Sequence, residues 1–162
     1  MTKPQLRSLS SIPITPANFA PFGQMITASK DGAPYSSEDA QLTLDRGVPR
    51  FYIMRLHHRG QRFTTITRHM QCTQCLGSLE GQSWMLGVAP PSSEPQPDPD
   101  QIQAFQIPGS CFIKLNVGTW HAGPYFKSES VDFYNLELSN TNVVDHDTVN
   151  LRAVFGVEFE IE

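Results

Sequence analysis

The stretch that decides the fold is RFYIMRLHHRGQRFTTITR, residues 50–68. Its two ends, 50–57 and 62–68, are rich in aromatic and β-branched residues, which favour strands. Gly60 lies between them, so the sequence predicts a β-hairpin here. Further strands are predicted over residues 24–27, 82–89, 102–107, 110–116, 131–138 and 149–158. Many short strands separated by turn residues, without a long helix, indicate an all-β sandwich or barrel.

Three segments interrupt this pattern of strands. A short helical turn is predicted after Thr15, because threonine can cap a helix whose first residue is Pro16. Residues 28–47 are polar and lack a regular period, which predicts a long loop that covers part of the molecule. Residues 90–100, PPSSEPQPDPD, contain five prolines. They are predicted to form an exposed polyproline-like loop, with an SH3-type ligand as the alternative.

Length, charge and cysteine content restrict the class of protein. A chain of 162 residues suits a single domain, 1–162. The net charge of −4 argues against a nucleic-acid partner. No apolar stretch reaches the roughly 18 residues of a membrane span, and no secretory signal is recognisable, so no membrane partner is expected. An odd count of three cysteines fits a reducing, cytoplasmic setting better than a disulfide scaffold.

Cys72 and Cys75 have the spacing of a zinc-binding or redox pair. A structural zinc site needs four ligands, and no second pair of suitable spacing follows, since Cys111 stands alone. A thioredoxin-like redox pair needs a βαβ context, which the strand pattern does not offer. The sequence therefore predicts neither site.

Six arginines fall within 23 residues: Arg46, Arg50, Arg55, Arg59, Arg62 and Arg68. If the predicted hairpin forms, several guanidinium groups face one opening, where they can bind carboxylates in bidentate fashion. The alternative is an exposed strand face with ion pairs to the acidic residues near the C-terminus.

The strand over 131–138 places Asp132 and Glu137 on opposite faces. One of these acids must therefore sit among apolar groups, where it needs a partner such as Arg68, His69 or His121. An ordinary buried ion pair is the alternative to a site role.

The turn-rich segment GTWHAGP, residues 118–124, contains a tryptophan, whose ring is flat and apolar, next to a histidine, which can carry a proton. Trp120 can wall a pocket, and His121 titrates near neutrality. Glycine and proline on both sides restrain its backbone, although a purely structural histidine remains the alternative.

Several blocks, in order, resemble the ureidoglycolate lyase family. They are ITPANFAPFG (14–23), RHMQCTQ (68–74), Trp120–His121, Asp132–Phe133 and the acid Glu137. The resemblance spans about residues 12–150. It implies a cupin-like double-stranded β-helix barrel, often dimeric, with the ligand in the barrel mouth. Residues 133–147 are similar to a divergent branch found in photosynthetic organisms.

The resemblance implies a lyase that cleaves the C–N bond of (S)-ureidoglycolate to glyoxylate and urea, in allantoin and purine catabolism. This chemistry needs a base for the hydroxyl proton, an acid for the departing nitrogen and a cation for the carboxylate. We assign His121 to proton exchange, with Asp132 or Glu137 as its orienter or as a second acid or base. The substrate-binding residues are predicted as Arg68 for the carboxylate, His69 and Gln74 for the ureido group, and Trp120 as the wall.

No metal ligands are predicted, because no His-x-His precedes a glutamate. The resemblance alone implies that a divalent ion such as nickel stimulates some members. A non-catalytic cupin-like binder or sensor of a small carboxylate or sugar is the alternative function. A third reading, a cupin acting on sugars as an isomerase, needs more aromatic stacking than Trp120, Tyr125 and Phe126 offer. The expected partners are a small carboxylate substrate and a second copy of the chain in a homodimer.

Overall fold

The computed structural model describes residues 3–162, which consist mainly of β-strands in three sheets. The strands are β1 (Gln5–Leu9), β2 (Ser11–Pro13), β3 (Gly23–Ile26), β4 (Pro49–His57), β5 (Arg62–Phe63), β6 (Thr65–Arg68), β7 (Gln74–Ser78), β8 (Trp84–Ala89), β9 (Gln103–Ile107), β10 (Phe112–Leu115), β11 (Trp120–Tyr125), β12 (Ser130–Leu138), β13 (Asp147–Asn150) and β14 (Val157–Ile161). The helices are α1 (Pro16–Phe19), α2 (Thr141–Val144) and α3 (Leu151–Phe155), with a 3-10 turn at Pro99–Gln101. The all-β prediction is confirmed.

The sheets form three layers around two apolar cores. The middle sheet has six strands in the order β13-β6-β11-β8-β9-β2. On one side it packs against the five-stranded sheet β3-β10-β7-β12-β4, as expected of a barrel, and on the other against the small sheet β1-β14-β5. We call these the inner and outer faces of the six-stranded sheet. Strand β8 supplies both cores by alternation, since Trp84, Leu86 and Val88 point inward while Met85 and Ala89 point outward.

Helix α1 forms where the sequence predicts it. Thr15 accepts a hydrogen bond at its Oγ1 from the Asn18 backbone N–H at 3.1 Å, and Asn18 Oδ1 accepts one from the Thr15 N–H at 2.8 Å. This reciprocal capping box satisfies two backbone donors at the helix start. Phe19 then enters the inner core, where it is fully buried.

The predicted hairpin between residues 50–57 and 62–68 is wrong. Strand β4 pairs antiparallel with β12 in the five-stranded sheet, whereas β5 pairs with β14 and β6 pairs with β11 and β13. The residues between β4 and β5 connect the five-stranded sheet to the small sheet. His58, the first of them, is held by hydrogen bonds to the segment that precedes β12. His58 N–H donates to Glu129 O at 2.8 Å, and the His58 ring donates from Nδ1 to Phe126 O at 2.7 Å.

The predicted strand over residues 149–158 is wrong in its middle, which forms helix α3. Asn150 caps this helix, since its Oδ1 accepts from the Ala153 N–H at 2.9 Å. Gly156 ends it in the left-handed region with φ of 67°, a conformation that glycine adopts readily. Strands β1, β2, β7 and β11 and helix α2 are additional to the prediction.

Both predicted loops are present. Residues 28–47 lie on the exposed face of the five-stranded sheet, which points away from the inner core. Gln24 on β3 holds this loop by donating from Nε2 to Asp39 O at 3.2 Å, and Thr43 N–H donates to Thr73 Oγ1 at 3.0 Å. The proline-rich loop is mostly exposed. None of the described helices is long and apolar enough to cross a membrane.

Candidate functional site

Three histidines share the inner face of the six-stranded sheet at its β13-β6-β11 end. On β11, Trp120 and Ala122 enter the outer core, so His121 between them points inward. His69 extends the inward row of β6, and His146 precedes β13 on the same side. The ring centroid of His69 lies 5.0 Å from that of His121 and 5.6 Å from that of His146. The structure thus brings three imidazoles together, with His69 between the other two.

Backbone carbonyls fix the orientation of two of these rings. His69 donates from Nδ1 to Asp145 O at 2.6 Å, and His121 donates from Nδ1 to Thr119 O at 3.3 Å. Because a carbonyl only accepts hydrogen bonds, each Nδ1 carries the proton and each Nε2 keeps a free lone pair. Both rings therefore present Nε2 as a hydrogen-bond acceptor.

Asp145 ties the two chain segments of this cluster together. Its carboxylate accepts from the backbone N–H groups of Met70 at 2.7 Å and Gln71 at 2.8 Å. These residues follow His69, while Asp145 itself precedes His146. The buried carboxylate thus holds both histidines in place from outside the cluster, and hydrogen bonds from two N–H groups offset its burial.

His121 is neutral at physiological pH. Burial lowers its pKa to about 3, and the neighbouring rings of His69 and His146 lower it further, while the Thr119 carbonyl opposes them. Desolvation disfavours the charged imidazolium, and a second positive charge nearby would be repelled. A negatively charged ligand beside the ring would act in the opposite sense and raise this pKa.

A cavity of about 300 Å³ opens beside the histidines. It is lined by Arg59, Thr65, Thr67, His121, Ala122, Gly123, Tyr125, His146 and Thr148. The Arg59 guanidinium lies over the Tyr125 ring, 5.1 Å from its centroid. Of the described residues that line the cavity, Arg59 is the only one with a permanent charge, and none is acidic. The cavity therefore suits a small anion.

Arg68, predicted to bind the carboxylate, lies on the outer face instead. Its Nε donates to Asp147 Oδ2 at 2.7 Å, and its Nη1 donates to the carbonyls of Ser92 at 3.3 Å and Glu94 at 3.0 Å. Its guanidinium also lies 4.4 Å over the Trp120 ring. Arg68 thus anchors the proline-rich loop, and neither it nor the fully buried Trp120 lines the histidine cavity.

Asp132 and Glu137 occupy opposite sides of β12, as the alternation predicts. Asp132 faces the exposed side, where Arg55 donates to both carboxylate oxygens, at 2.8 Å from Nε and 3.0 Å from Nη2. These hydrogen bonds hold the pKa of Asp132 below its usual value. The structure does not bring Asp132 together with His121.

Glu137 is buried on the inner side of β12, but its partners are neutral. It accepts from Gln74 Nε2 at 3.3 Å, from the Tyr52 hydroxyl at 3.3 Å and from Asn142 Nδ2 at 3.5 Å. The expectation of a cationic partner is therefore wrong, because neutral donors satisfy this carboxylate. Gln74 also donates to Asn135 Oδ1 at 3.1 Å, and its own buried Oε1 has no hydrogen-bond partner among the residues that the structure describes.

The predicted site residues thus fall into separate groups. His69 and His121 come together, as do Gln74 and Glu137, whereas Arg68 and Trp120 pair on the outer face. In the sequence Arg59 is one of six arginines able to bind a carboxylate and is not distinguished from the others, and His146 is not predicted as a site residue. The only sequence signal for the cluster is the alternation Thr67-x-His69 and His146-x-Thr148 on paired strands, where the Thr67 and Thr148 hydroxyls lie 2.8 Å apart.

The divalent ion implied by the resemblance does not fit the donors present. Within residues 3–162, no group of three or more His, Cys, Asp or Glu side chains is arranged to hold a metal ion. The Asp145 carboxylate, the nearest oxygen donor in sequence, is directed at backbone N–H groups. We derive no step through a metal.

Comparison with known proteins gives a family. The family model described as ureidoglycolate lyase matches residues 6–158. The chain is 26% identical over 130 residues to a ureidoglycolate lyase of Azotobacter vinelandii, covering 72% of this chain and 76% of that protein.

Similar solved structures share 11% sequence identity with this chain. A dTDP sugar isomerase from Desulfovibrio desulfuricans G20 has a TM-score of 0.47, covering 80% of this chain and 81% of that one. Bacillus subtilis oxalate decarboxylase has a TM-score of 0.42, covering 65% of this chain and 24% of that one. On the match over residues 6–158, the chain belongs to the ureidoglycolate lyase family.

Proposed function

We propose that this protein cleaves (S)-ureidoglycolate to glyoxylate and urea in the histidine cavity. Family membership supports this activity and does not favour the non-catalytic binder. The observation that carries the proposal is the cavity in which Arg59 lies with His121 and His146, without an acidic residue in its lining. A carboxylate and two sites of proton transfer are what the substrate presents to such a cavity.

The reaction moves one proton and breaks one bond. The carbon that carries the carboxylate also carries a hydroxyl group and a ureido nitrogen. Loss of the hydroxyl proton forms the aldehyde C=O bond, and the electrons of the C–N bond leave with the nitrogen. That nitrogen takes up a proton to give urea. No water is consumed, so a base and an acid are sufficient.

Arg59 binds the substrate carboxylate in this proposal, in place of Arg68. The donors of Arg68 are used by Asp147 and by two loop carbonyls. Within the described part of the chain, Arg59 makes one long hydrogen bond, of 3.5 Å from its Nη2 to Pro124 O. Its guanidinium therefore keeps donors for a bidentate interaction, and the Tyr125 ring supports it from one side.

His121 takes the hydroxyl proton at its free Nε2. Before a substrate binds, its pKa of about 3 makes it a weak base. The substrate carboxylate brings a negative charge into the cavity and raises that pKa toward the ordinary value, so binding activates the base. His146 supplies the proton to the departing nitrogen. His69, with its ring close to both others, returns the proton between them.

Polar groups beside the histidines bind the ureido end. The Thr67 and Thr148 hydroxyls line the cavity and both accept and donate hydrogen bonds. Gln74, predicted from the sequence to bind the ureido group, does not line this cavity and donates to Asn135 and Glu137 instead, so the two hydroxyls take that role. Such contacts hold the scissile bond against the two imidazoles.

The test is glyoxylate and urea release by the purified protein from (S)-ureidoglycolate. We expect turnover by the wild type and, for Arg59→Gln, an increase in KM of at least tenfold, because the carboxylate loses its cation. Arg55→Gln is the matched control, since Arg55 is exposed and pairs with Asp132 on the far sheet. Absence of turnover by the wild type contradicts the proposed activity. Equal KM values for the two variants contradict the role of Arg59.

A homodimer is also part of the proposal. The exposed face of the five-stranded sheet carries stacked rings, with centroids 5.7 Å apart for Phe51 and Tyr134 and 5.4 Å apart for Tyr134 and Phe112. Phe51 is 65% exposed and Ile53 is 55% exposed, on edge strand β4. An exposed apolar surface at a sheet edge favours the binding of a second copy of this chain. Light scattering on the wild type and Phe51→Lys tests it, with a monomeric wild type as the contrary result.

A cytoplasmic location and a place in allantoin breakdown complete the proposal. The three cysteines Cys72, Cys75 and Cys111 are free and buried, which suits a reducing compartment.

A further inference from the structure

A buried lysine on the five-stranded sheet forms no ion pair with any of residues 3–162. Lys114 on β10 lies between Ile113 and Leu115, which enter the inner core, so its side chain points to the exposed face of the five-stranded sheet. It is nevertheless only 5% exposed. Its Nζ donates to Asn116 Oδ1 at 2.8 Å, and none of the ion pairs within residues 3–162 involves it.

An ammonium group in this position is unusual. Charged groups are rarely buried unless paired, because the lost hydration must be replaced. A lysine ammonium has three donors, and Asn116 accounts for one of them. Burial lowers the pKa of Lys114. Cys75, its neighbour on β7, is no counterion, because burial raises the pKa of that thiol to about 11.

A cavity of about 390 Å³ lies over this lysine, between the sheet and the loop of residues 28–47. It is lined by Pro16, Ala20, Gly23, Gln24, Met25, Ser37, Glu38, Gln41, Lys114 and Asn116. The bond from Lys114 orients the Asn116 amide with its oxygen toward Nζ, and its NH₂ group donates to no other atom of residues 3–162. Gln24 and Gln41 are occupied in holding the loop. The cavity thus offers an ammonium and an amide donor side by side.

We propose that this cavity is a second ligand site, which binds a small monocarboxylate through Lys114 and Asn116. It lies on the opposite side of the five-stranded sheet from the inner core and is separate from the histidine cavity. One carboxylate oxygen takes the place of the missing counterion on Nζ, and the other accepts from Asn116 Nδ2. Glu38 also lines the cavity, so a single negative charge suits the site better than the two charges of a phosphate dianion.

Binding is tested in the Arg59→Gln protein, so that anion binding in the histidine cavity does not contribute. The melting temperature is measured with acetate, glyoxylate or inorganic phosphate, at equal ionic strength. We expect a rise of about 2–4 °C with saturating acetate or glyoxylate and a smaller rise with phosphate. In the Arg59→Gln protein, the further substitution Lys114→Met abolishes the rise in melting temperature. The control substitution Lys30→Met, at an exposed lysine, leaves the rise unchanged.

Several results overturn the proposal. These are no rise with either carboxylate, an equal rise after Lys114→Met, or tighter binding of phosphate than of the carboxylates. If Glu38 serves as the counterion of Lys114, neither carboxylate raises the melting temperature.

A second measurement does not depend on the folding of Lys114→Met. Acetylation of the otherwise unmodified protein by acetic anhydride is followed at each lysine by peptide mass spectrometry. Acetate bound on Nζ slows modification of Lys114 at least threefold and leaves Lys30 unaffected. Equal rates with and without added acetate, at equal ionic strength, contradict the site. This reading is independent of turnover, so it stands or falls separately from the lyase activity.

Discussion

The two faces of the six-stranded sheet differ in what they do, although neighbouring residues supply both. Arg68 and Trp120 point to the outer face, where guanidinium and indole stack and hydrogen bonds from Arg68 to two backbone carbonyls hold the proline-rich loop. His69 and His121, each one residue further on, point to the inner face and meet there. A single step along a strand thus separates groups that stabilise the fold from groups that can exchange protons. Proximity in sequence is a poor guide to a shared site in a β-protein.

The largest expected effect lies on the inner face. His121→Ala removes the proposed base and lowers kcat/KM for (S)-ureidoglycolate by about 10²–10⁴-fold, the usual contribution of a general base. His57→Ala is the matched control, because His57 is exposed on β4. Steady-state glyoxylate release measures both. A kcat/KM within about twofold of wild type, in a variant with native circular dichroism, removes His121 from the mechanism.

The outer face is expected to respond in stability and not in substrate binding. Arg68→Met leaves Asp147 and two loop carbonyls without their donor, at a cost of about 1–3 kcal/mol in unfolding free energy. The half-exposed position of Asp147 places the loss toward the lower end. Urea denaturation gives the free energy, and the KM of the variant stays near wild type. A large rise in KM with unchanged stability would return the carboxylate-binding role to Arg68.

Acid is expected to weaken the fold through the inner face. His121 has an ordinary pKa near 6.5 when unfolded and about 3 when folded. Between these values the unfolded chain binds a proton that the native state refuses, so unfolding free energy falls as pH drops through this window. The slope is about 1.4 kcal/mol per pH unit. Urea titrations at pH 6.5 and 5 should show His121→Asn losing about 1.6 kcal/mol less than wild type, because at pH 6.5 the unfolded histidine is already half protonated. Equal losses would mean that His121 titrates normally in the native protein.

The smallest effect on stability and activity is expected for Asp132, which lies on the five-stranded sheet and not on the six-stranded one. Asp132→Asn breaks an exposed ion pair with Arg55. Exposed pairs contribute little because water and salt screen them. The melting temperature should therefore change less than for Arg68→Met, with kcat/KM unaltered. A large loss of kcat/KM would show that Asp132 acts in catalysis after all.

The fold class and the family were within reach of the sequence, because they depend on local pattern. Strand-forming residues, turn residues and the Thr15–Pro16 cap act over a few positions. The partner of β4 could not be predicted, because β12 lies more than seventy residues further along the chain. Helix α3 was hidden in a strand-like segment, where Asn150 and Gly156 were the only signals of its ends.

The site was predictable in part for the same reason. His69 and His121 stand in recognisable blocks, and His121 is fixed by its short turn-rich segment. Six arginines in one region look alike in sequence, and only tertiary packing decides which one lines a cavity. Arg68 donates a hydrogen bond to the loop that follows β8, whereas Arg59 lies over the Tyr125 ring with donors left for a ligand. Successive side chains of a strand point to opposite faces, which already places Arg68 and His69 on different sides of the sheet. This alternation predicts the site residues better than the presence of both in one sequence motif.

The small sheet joins distant parts of the chain, since β1 runs parallel to β14 with Gln5 opposite Val157 and Leu9 opposite Ile161. During synthesis on the ribosome, the apolar surface around Trp120 therefore has no cover until β14 has emerged. Nascent chains are exposed to aggregation for that interval, and the closure of contacts so far apart is intrinsically slow. Expression of this protein should accordingly gain from slower synthesis at reduced temperature or from a chaperone that shields the unfinished outer core.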